Sequence, residues 1–280
     1  MVLKRSVAVV TDSIADIPPE EAEALHITVV PALVTVEGVS YLDGEELSRD
    51  EFYHRMPSLS EPATTAAPSP LAFENVYRRL LSSGVERILS IHVAANLSGM
   101  LNTVHQAAQA FGDRIYLFDS KQLSLGQGFQ VMEAAAAALK GMPFESVLET
   151  THFARRKVHF VAMINTLEYL KRSGRIGWLS AGMGNLLHLK LLVRVVDGVI
   201  ERLGITRTRS KAISQLLSLA DSWGPLKRLA VLHSAAPEEA ANVADKIRHQ
   251  SSSPPLVVGI TTALGVHVGP NAIGLVGLSK

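Results

Sequence analysis

The sequence predicts an α/β protein of two domains, and three observations carry the prediction. Apolar, β-branched runs alternate with helix-type segments through residues 1–157, as in a mostly parallel sheet with helices on both faces. The second half carries an Asp197-Gly198 turn between two strand-type runs, the mark of an antiparallel hairpin, so residues 158–280 read as an α+β domain. A length of 280 residues suits two modest domains, each with a core of its own.

Composition narrows the function classes. Lys plus Arg number 27 against 26 for Asp plus Glu, and a net charge of +1 gives no general attraction to nucleic acid or to an anionic membrane. Aromatic residues make up only 5%, which argues against a base-stacking surface. The sequence contains no cysteine, which excludes disulfides, thiolate catalysis and Cys-ligated zinc or iron–sulfur centres. No run approaches the roughly 20 apolar residues of a membrane span. The apolar run near the N-terminus is interrupted by Thr11-Asp12 before it reaches the length of a signal-peptide core. A cytoplasmic protein without stable membrane insertion is expected.

In the first half, residues 6–10 form an apolar strand ending in Thr11-Asp12-Ser13, and Pro18-Pro19-Glu20-Glu21 opens a short helix. Ligands in α/β sheets collect at the carboxyl ends of strands, so Asp12 and Ser13 stand where they could line a cleft; they are equally suited to an Asx turn and a helix cap. Residues 27–35 read as one strand interrupted by Pro31, followed by a small hairpin around Glu37-Gly38, near a sheet edge. Residues 48–56 form a helix capped by Ser48. The proline-bound stretch 57–68 reads as an extended, stiff loop carrying Thr64 and Thr65 to the start of the next helix, which Ser69-Pro70 opens and Gly84 ends.

The stretch ILSIHVAANLSGMLNTVHQAAQAF, residues 88–111, reads as strand, turn and helix, with Ser98 at the helix start. A serine there caps free N–H groups, and the same groups with the helix dipole can hold an anion. Residues 114–118 are a further buried strand, 126–140 an alanine-rich helix, and 143–157 a helix ending in Arg155-Arg156-Lys157. The second half continues with a strand at 158–164, a short helix at 167–172 stopped by Ser173-Gly174, strands over 185–196 and 199–207, helices over 211–223 and 237–250, and strands over 229–232 and 256–261. The tail is a Gly-Pro turn around His267 and an apolar strand at 272–278.

Several function classes find little support. Asp12, Ser98 and His267 could be imagined as a serine hydrolase triad acting on an acyl ester, but Asn96-Leu97-Ser98-Gly99 lacks the G-x-S-x-G elbow. His152 and His159 lie among basic and apolar residues without an H-E-x-x-H pattern, a poor metal site. No G-x-G-x-x-G follows the first strand, and a sugar- or nucleotide-binding regulator would need aromatic platforms or phosphate loops.

Six segments, taken together and in order, carry a resemblance over nearly the whole chain: VTDSIADIP at 10–18, TTAAPSP at 64–70, SIHVAANLSGMLNTV at 90–104, FDSKQLSLGQG at 118–128, LEYLKRSGRIG at 167–177 and GVHVGPNAIG at 265–274. The chain resembles the DegV family, some members of which are the fatty-acid-binding subunits of bacterial fatty acid kinase. The resemblance implies a protein that holds one long-chain fatty acid between its two domains and presents the carboxylate to a separate ATP-dependent kinase. It implies no catalysis and no cofactor of its own. Carried over by motif, the carboxylate ligands are Thr65, Ser98 and His267, and Arg175 and Arg207 match positions facing the phosphate or the kinase. The chain departs from the family pattern at Ala66, Ala67 and Met100, where serine, glutamine and threonine are usual, and at Leu191, where proline is usual. Beside the resemblance stands a physical reading: neutral hydroxyls at a helix start hold a carboxylate without the bidentate grip of arginine, leaving an oxygen free to attack phosphorus. A mean hydropathy of +0.20 with 47% hydrophobic residues leaves apolar side chains to line an acyl channel.

Overall fold

The computed structural model describes residues 6–175 and 189–280. It divides into two compact units, Met1–Ala32 with Ala67–Lys157, and Leu33–Ala66 with Val158–Lys280. The expected division into 1–157 and 158–280 is therefore corrected at Leu33–Ala66, which packs with the C-terminal half.

The first unit opens with β1 (Val7–Asp12), buried at every position, then a 3-10 turn at Ser13–Ala15, α1 (Pro19–Ala24) and β2 (Thr28–Val30). The chain then enters the second unit with β3 (Leu33–Val36), β4 (Val39–Leu42), α2 (Arg49–Arg55) and β5 (Thr64–Ala66). It returns with α3 (Pro70–Ser82), β6 (Arg87–His92), α4 (Met100–Ala108), β7 (Ile115–Asp119), α5 (Ser124–Leu139) and α6 (Phe144–Lys157). The remainder of the second unit contains β8 (Val158–Ile164), α7 (Glu168–Arg172), β9 (Lys190–Val196), β10 (Val199–Thr206) and α8 (Arg209–Asp221). It closes with β11 (Leu226–His233), α9 (Pro237–Ile247), β12 (Leu256–Gly259), α10 (Thr262–Val268) and β13 (Ile273–Ser279).

In the first unit four strands run parallel in the order β2-β1-β6-β7. Helical crossovers join them, and strands buried on both faces are continuous in apolar character for that reason. The alanine-rich α5 is buried around nearly its whole circumference, because its small side chains let neighbours close in. The second unit holds an antiparallel sheet of order β4-β3-β5 and a six-stranded sheet of order β10-β9-β8-β13-β11-β12. Among the described residues, β11 and β12 are the one parallel pair of the larger sheet, and its other neighbours are antiparallel. Val161, Met163, Leu192, Leu229, Val231, Ile273 and Leu275 of its strands pack with Ala212 and Leu216 of α8 and Val243 of α9 in one core.

Four local expectations are corrected. Residues 27–35 are two strands, not one: Pro31 has no N–H for a ladder, the Ala32 N–H donates to the Ser13 hydroxyl at 3.0 Å, and β2 and β3 join different sheets. The stretch 57–68 is more than a loop, since Thr64 and Thr65 lie in β5, held by β3 in the register Val34↔Thr65. The tail segment around His267 is helical, and Gly269, at φ +71, ends it. The helix after Ser98 begins at Met100 with Gly99 at the N-cap position, and ends at Ala108 before a 3-10 stretch, Gln109–Arg114. Of the strand expected over 185–196, residues 185–188 lie outside the described residues, as do Ile176 and Gly177 of the LEYLKRSGRIG segment.

Candidate functional site

Ser98 belongs to the first unit, on the turn between β6 and α4. Although it is not the N-cap residue, its hydroxyl accepts from the Met100 N–H at 3.2 Å, so capping is shifted by one position rather than lost. The turn is tightly tethered. The Val93 N–H donates to Asp12 Oδ2 at 3.2 Å, the Ala94 N–H to the Gln122 carbonyl at 2.9 Å, and the Ala95 N–H to Asp119 Oδ1 at 3.4 Å. Ser98 is half-buried. Met100 points into the core at 1% exposure.

Thr65 and His267 belong to the second unit, and the structure brings them together: Thr65 Oγ1 and His267 Nε2 share a hydrogen bond of 3.2 Å. The pairing follows from β5 lying beside β3 and from α10 packing on β3, β5 and α2. His267 Nδ1 is buried and has no partner among the described residues. Burial first, and the positive charge of Arg175 second, push the His267 pKa down to about 4. The ring is therefore neutral near pH 7 and offers one N–H and one lone pair, not a positive charge.

This shift has a consequence for stability. Between about 4 and the ordinary value of 6.5 the unfolded chain takes up a proton at His267 that the folded chain does not, so stability falls on acidification through that window and levels below it. Urea denaturation of wild type and His267→Gln at stepped pH checks this: the variant is expected to show the shallower pH dependence, and identical slopes would contradict it.

Of the two arginines, Arg175 is exposed, with Nη1 donating to the Ser173 carbonyl at 3.2 Å, and its charge is felt at His267. Arg207 is exposed in the bend between β10 and α8. Ala66 is exposed and Ala67 half-buried.

A buried relay in the first unit was not foreseen. His92 Nδ1 lies 2.8 Å from Asp12 Oδ2, and His92 Nε2 lies 2.7 Å from Ser90 Oγ. Ser90 Oγ is in turn 2.7 Å from the Tyr77 hydroxyl. One direction satisfies every group: Tyr77 donates to Ser90, Ser90 to His92 Nε2, and the His92 Nδ1–H to Asp12. The order Asp, His, Ser has the look of a triad, but Asp12, His92 and Ser90 are each 0% exposed and Tyr77 occupies the serine. Burial raises the Tyr77 pKa further above its ordinary value, as befits a hydroxyl that stays protonated. The imagined triad of Asp12, Ser98 and His267 is also corrected, since Asp12 is engaged by His92 and His267 by Thr65. Asp12 further accepts the Ile14 N–H at 3.1 Å, an Asx turn, and does not line a cleft. His152 Nδ1 faces Arg155, and His159 Nε2 bonds Ser279, so neither is set out as a metal ligand.

Comparison with known proteins agrees with this architecture. A family model described as "Uncharacterised protein, DegV family" matches residues 6–280. A DegV domain-containing protein of Streptomyces coelicolor is 32% identical, over 99% of this chain and 100% of that protein. A Thermus thermophilus structure described as fatty acid binding of a DegV family protein is similar at TM-score 0.90 and 31% identity, covering 98% of this chain and 100% of that one. A fatty acid (stearic acid)-binding protein from Eubacterium ventriosum is similar at TM-score 0.86 and 26% identity, covering 98% of each chain. Among the described residues no helix is long and apolar enough to cross a membrane.

Proposed function

Because this chain belongs to the DegV family, we propose that it binds one long-chain fatty acid and presents the carboxylate to a separate ATP-dependent fatty acid kinase. The observation that carries the reading is the Thr65–His267 pair, a hydroxyl and a neutral imidazole at 3.2 Å whose remaining ring nitrogen is buried without a partner among the described residues. A carboxylate is an acceptor-only group and supplies what such donors need. Ser98, on its tethered turn, is the third headgroup ligand that the family resemblance assigns. The solved relatives described as fatty-acid-binding support the ligand class.

Neutral donors hold the carboxylate without neutralising it. Its free oxygen then attacks the γ-phosphorus of ATP brought by the kinase, the bond to the bridging oxygen breaks, and ADP leaves with an acyl phosphate behind. The kinase supplies the nucleotide site and the stabilisation of transferring phosphate, so this chain acts as carrier and needs no cofactor. Arg175 and Arg207 are proposed to face the phosphate or the kinase. Such a partnership places the protein in the cytoplasm.

Protein purified from cells is expected to carry a long-chain fatty acid near one per chain, read by denaturing extraction and mass spectrometry. Repeated preparations without stoichiometric lipid, and no uptake of added fatty acid, would sink the reading.

A further inference from the structure

The geometry points to Asp43 as the positioning residue for His267, acting through the N-terminus of α10. This rests on the proposed role of His267 as a headgroup ligand and extends it to the residue that aims the imidazole.

Helix α10 spans only Thr262–Val268, too short to hold itself in water. Thr261, at its N-cap position, makes no side-chain cap. The cap comes instead from a residue 219 positions away: Asp43 Oδ1 accepts the Thr262 N–H at 3.0 Å, the Thr262 hydroxyl at 2.5 Å and the Ala263 N–H at 3.4 Å. Asp43 is 3% exposed and sits where β4 ends, in a turn closed by the Glu45 and Glu46 N–H groups on the Leu42 carbonyl at 3.1 Å. A carboxylate anchored in that turn fixes both the start of the helix and its rotation, and favours the positive end of its dipole.

A second hold acts just ahead of the helix. The Tyr53 hydroxyl, from α2, donates to the Ile260 and Thr261 carbonyls at 3.3 and 3.4 Å. The same ring lies so close to α10 that a Cβ on Gly265 would stand 2.6 Å from its oxygen. At the far end a Cβ on Gly269 would collide with the Tyr169 ring, and the Ser234 hydroxyl donates to the Gly269 carbonyl at 2.7 Å. His267 is thus aimed at Thr65 by contacts that never touch the imidazole, and the cap is the one that sets the register of the whole helix.

The test uses the full chain with Asp43→Ala, Asp43→Asn and Tyr53→Phe. Affinities for hexadecanoic acid and hexadecanol are measured by displacement of a fluorescent probe, alongside ¹⁵N spectra of the imidazoles. Asp43→Ala is expected to lower hexadecanoic acid affinity by on the order of tenfold, the equivalent of losing a good cap. Hexadecanol affinity should be unchanged, Asp43→Asn should restore binding because its oxygen accepts the same bonds, and in a His267→Ala background the substitution should have no further effect. Equal losses for both lipids, or additive effects with His267→Ala, would overturn the assignment. If wild type binds neither lipid, the fatty acid reading fails, and the His267 ¹⁵N signals still decide the inference: they must shift in Asp43→Ala, and unchanged signals refute it. Should Asp43→Ala not fold, Tyr53→Phe, which removes only the hydroxyl contacts, is held to the same outcomes with a smaller change.

Discussion

His92→Ala is expected to lower the free energy of unfolding by about 3–5 kcal/mol, the usual cost of removing one member of a buried, hydrogen-bonded ionisable pair. The imidazole is 0% exposed and supplies Asp12 with a donor at 2.8 Å and Ser90 with an acceptor at 2.7 Å. Truncation leaves the Ser90 hydroxyl without its acceptor and Asp12 with one donor fewer in a dry interior, and each unmet group costs about 1–3 kcal/mol. It also removes the edge-on packing of the His92 ring against Phe73, at 5.3 Å between centroids. Urea denaturation followed by circular dichroism measures the change. A loss below about 1 kcal/mol would mean that the relay contributes no more than a single exposed polar contact.

His267→Ala should behave in the opposite way, with little change in stability and a loss of fatty acid affinity of roughly ten- to a hundredfold, the range of a hydrogen bond to a charged group. The stability side follows from its surroundings. The ring makes one hydrogen bond, to Thr65, and keeps Nδ1 buried without a partner among the described residues, an arrangement that costs stability in the empty protein. The function side follows from what a carboxylate would gain there. Ser98→Ala is expected to lose affinity in the same assay while retaining the fold, at a stability cost of about 1 kcal/mol for the Met100 N–H that loses its acceptor. Wild-type affinity in both variants would refute the headgroup assignment.

What the sequence made legible was mostly local. The parallel strands of the first unit, the α5 and α6 helices and the hairpin at Asp197-Gly198 follow from periodicity and turn chemistry within a dozen residues. Thr64–Ala66 did not read as a strand because its partner, Leu33–Val36, lies some thirty residues upstream and nothing in the proline-bound stretch alternates. His267 did not read as helical because the helix that carries it borrows its cap from Asp43, and a heptad holding Thr262, Gly265, Val266 and Val268 has little propensity to announce. The Asp12–His92 pair was hidden for the same reason: the two residues are 80 positions apart and become neighbours only when β1 and β6 lie side by side. The headgroup candidates were found through ordered motifs, whereas Asp43 and Tyr53, proposed to position His267, meet α10 only through folding.

The excursion of Leu33–Ala66 sets the order in which the molecule can be completed as it is made. Asp43 and Tyr53 are made 219 and 207 residues ahead of Thr262 and Ile260, where they find hydrogen-bond partners. Until then a small antiparallel sheet must wait with its apolar side chains, Val34 and Val36 among them, exposed to whatever else is in the cell. A gene cut after Lys157 would therefore separate no self-sufficient halves: the leading fragment would carry an orphaned insert, and the trailing one would carry α10 without its cap. Division of labour between the two units is spatial, while their assembly is shared along the whole length of the chain.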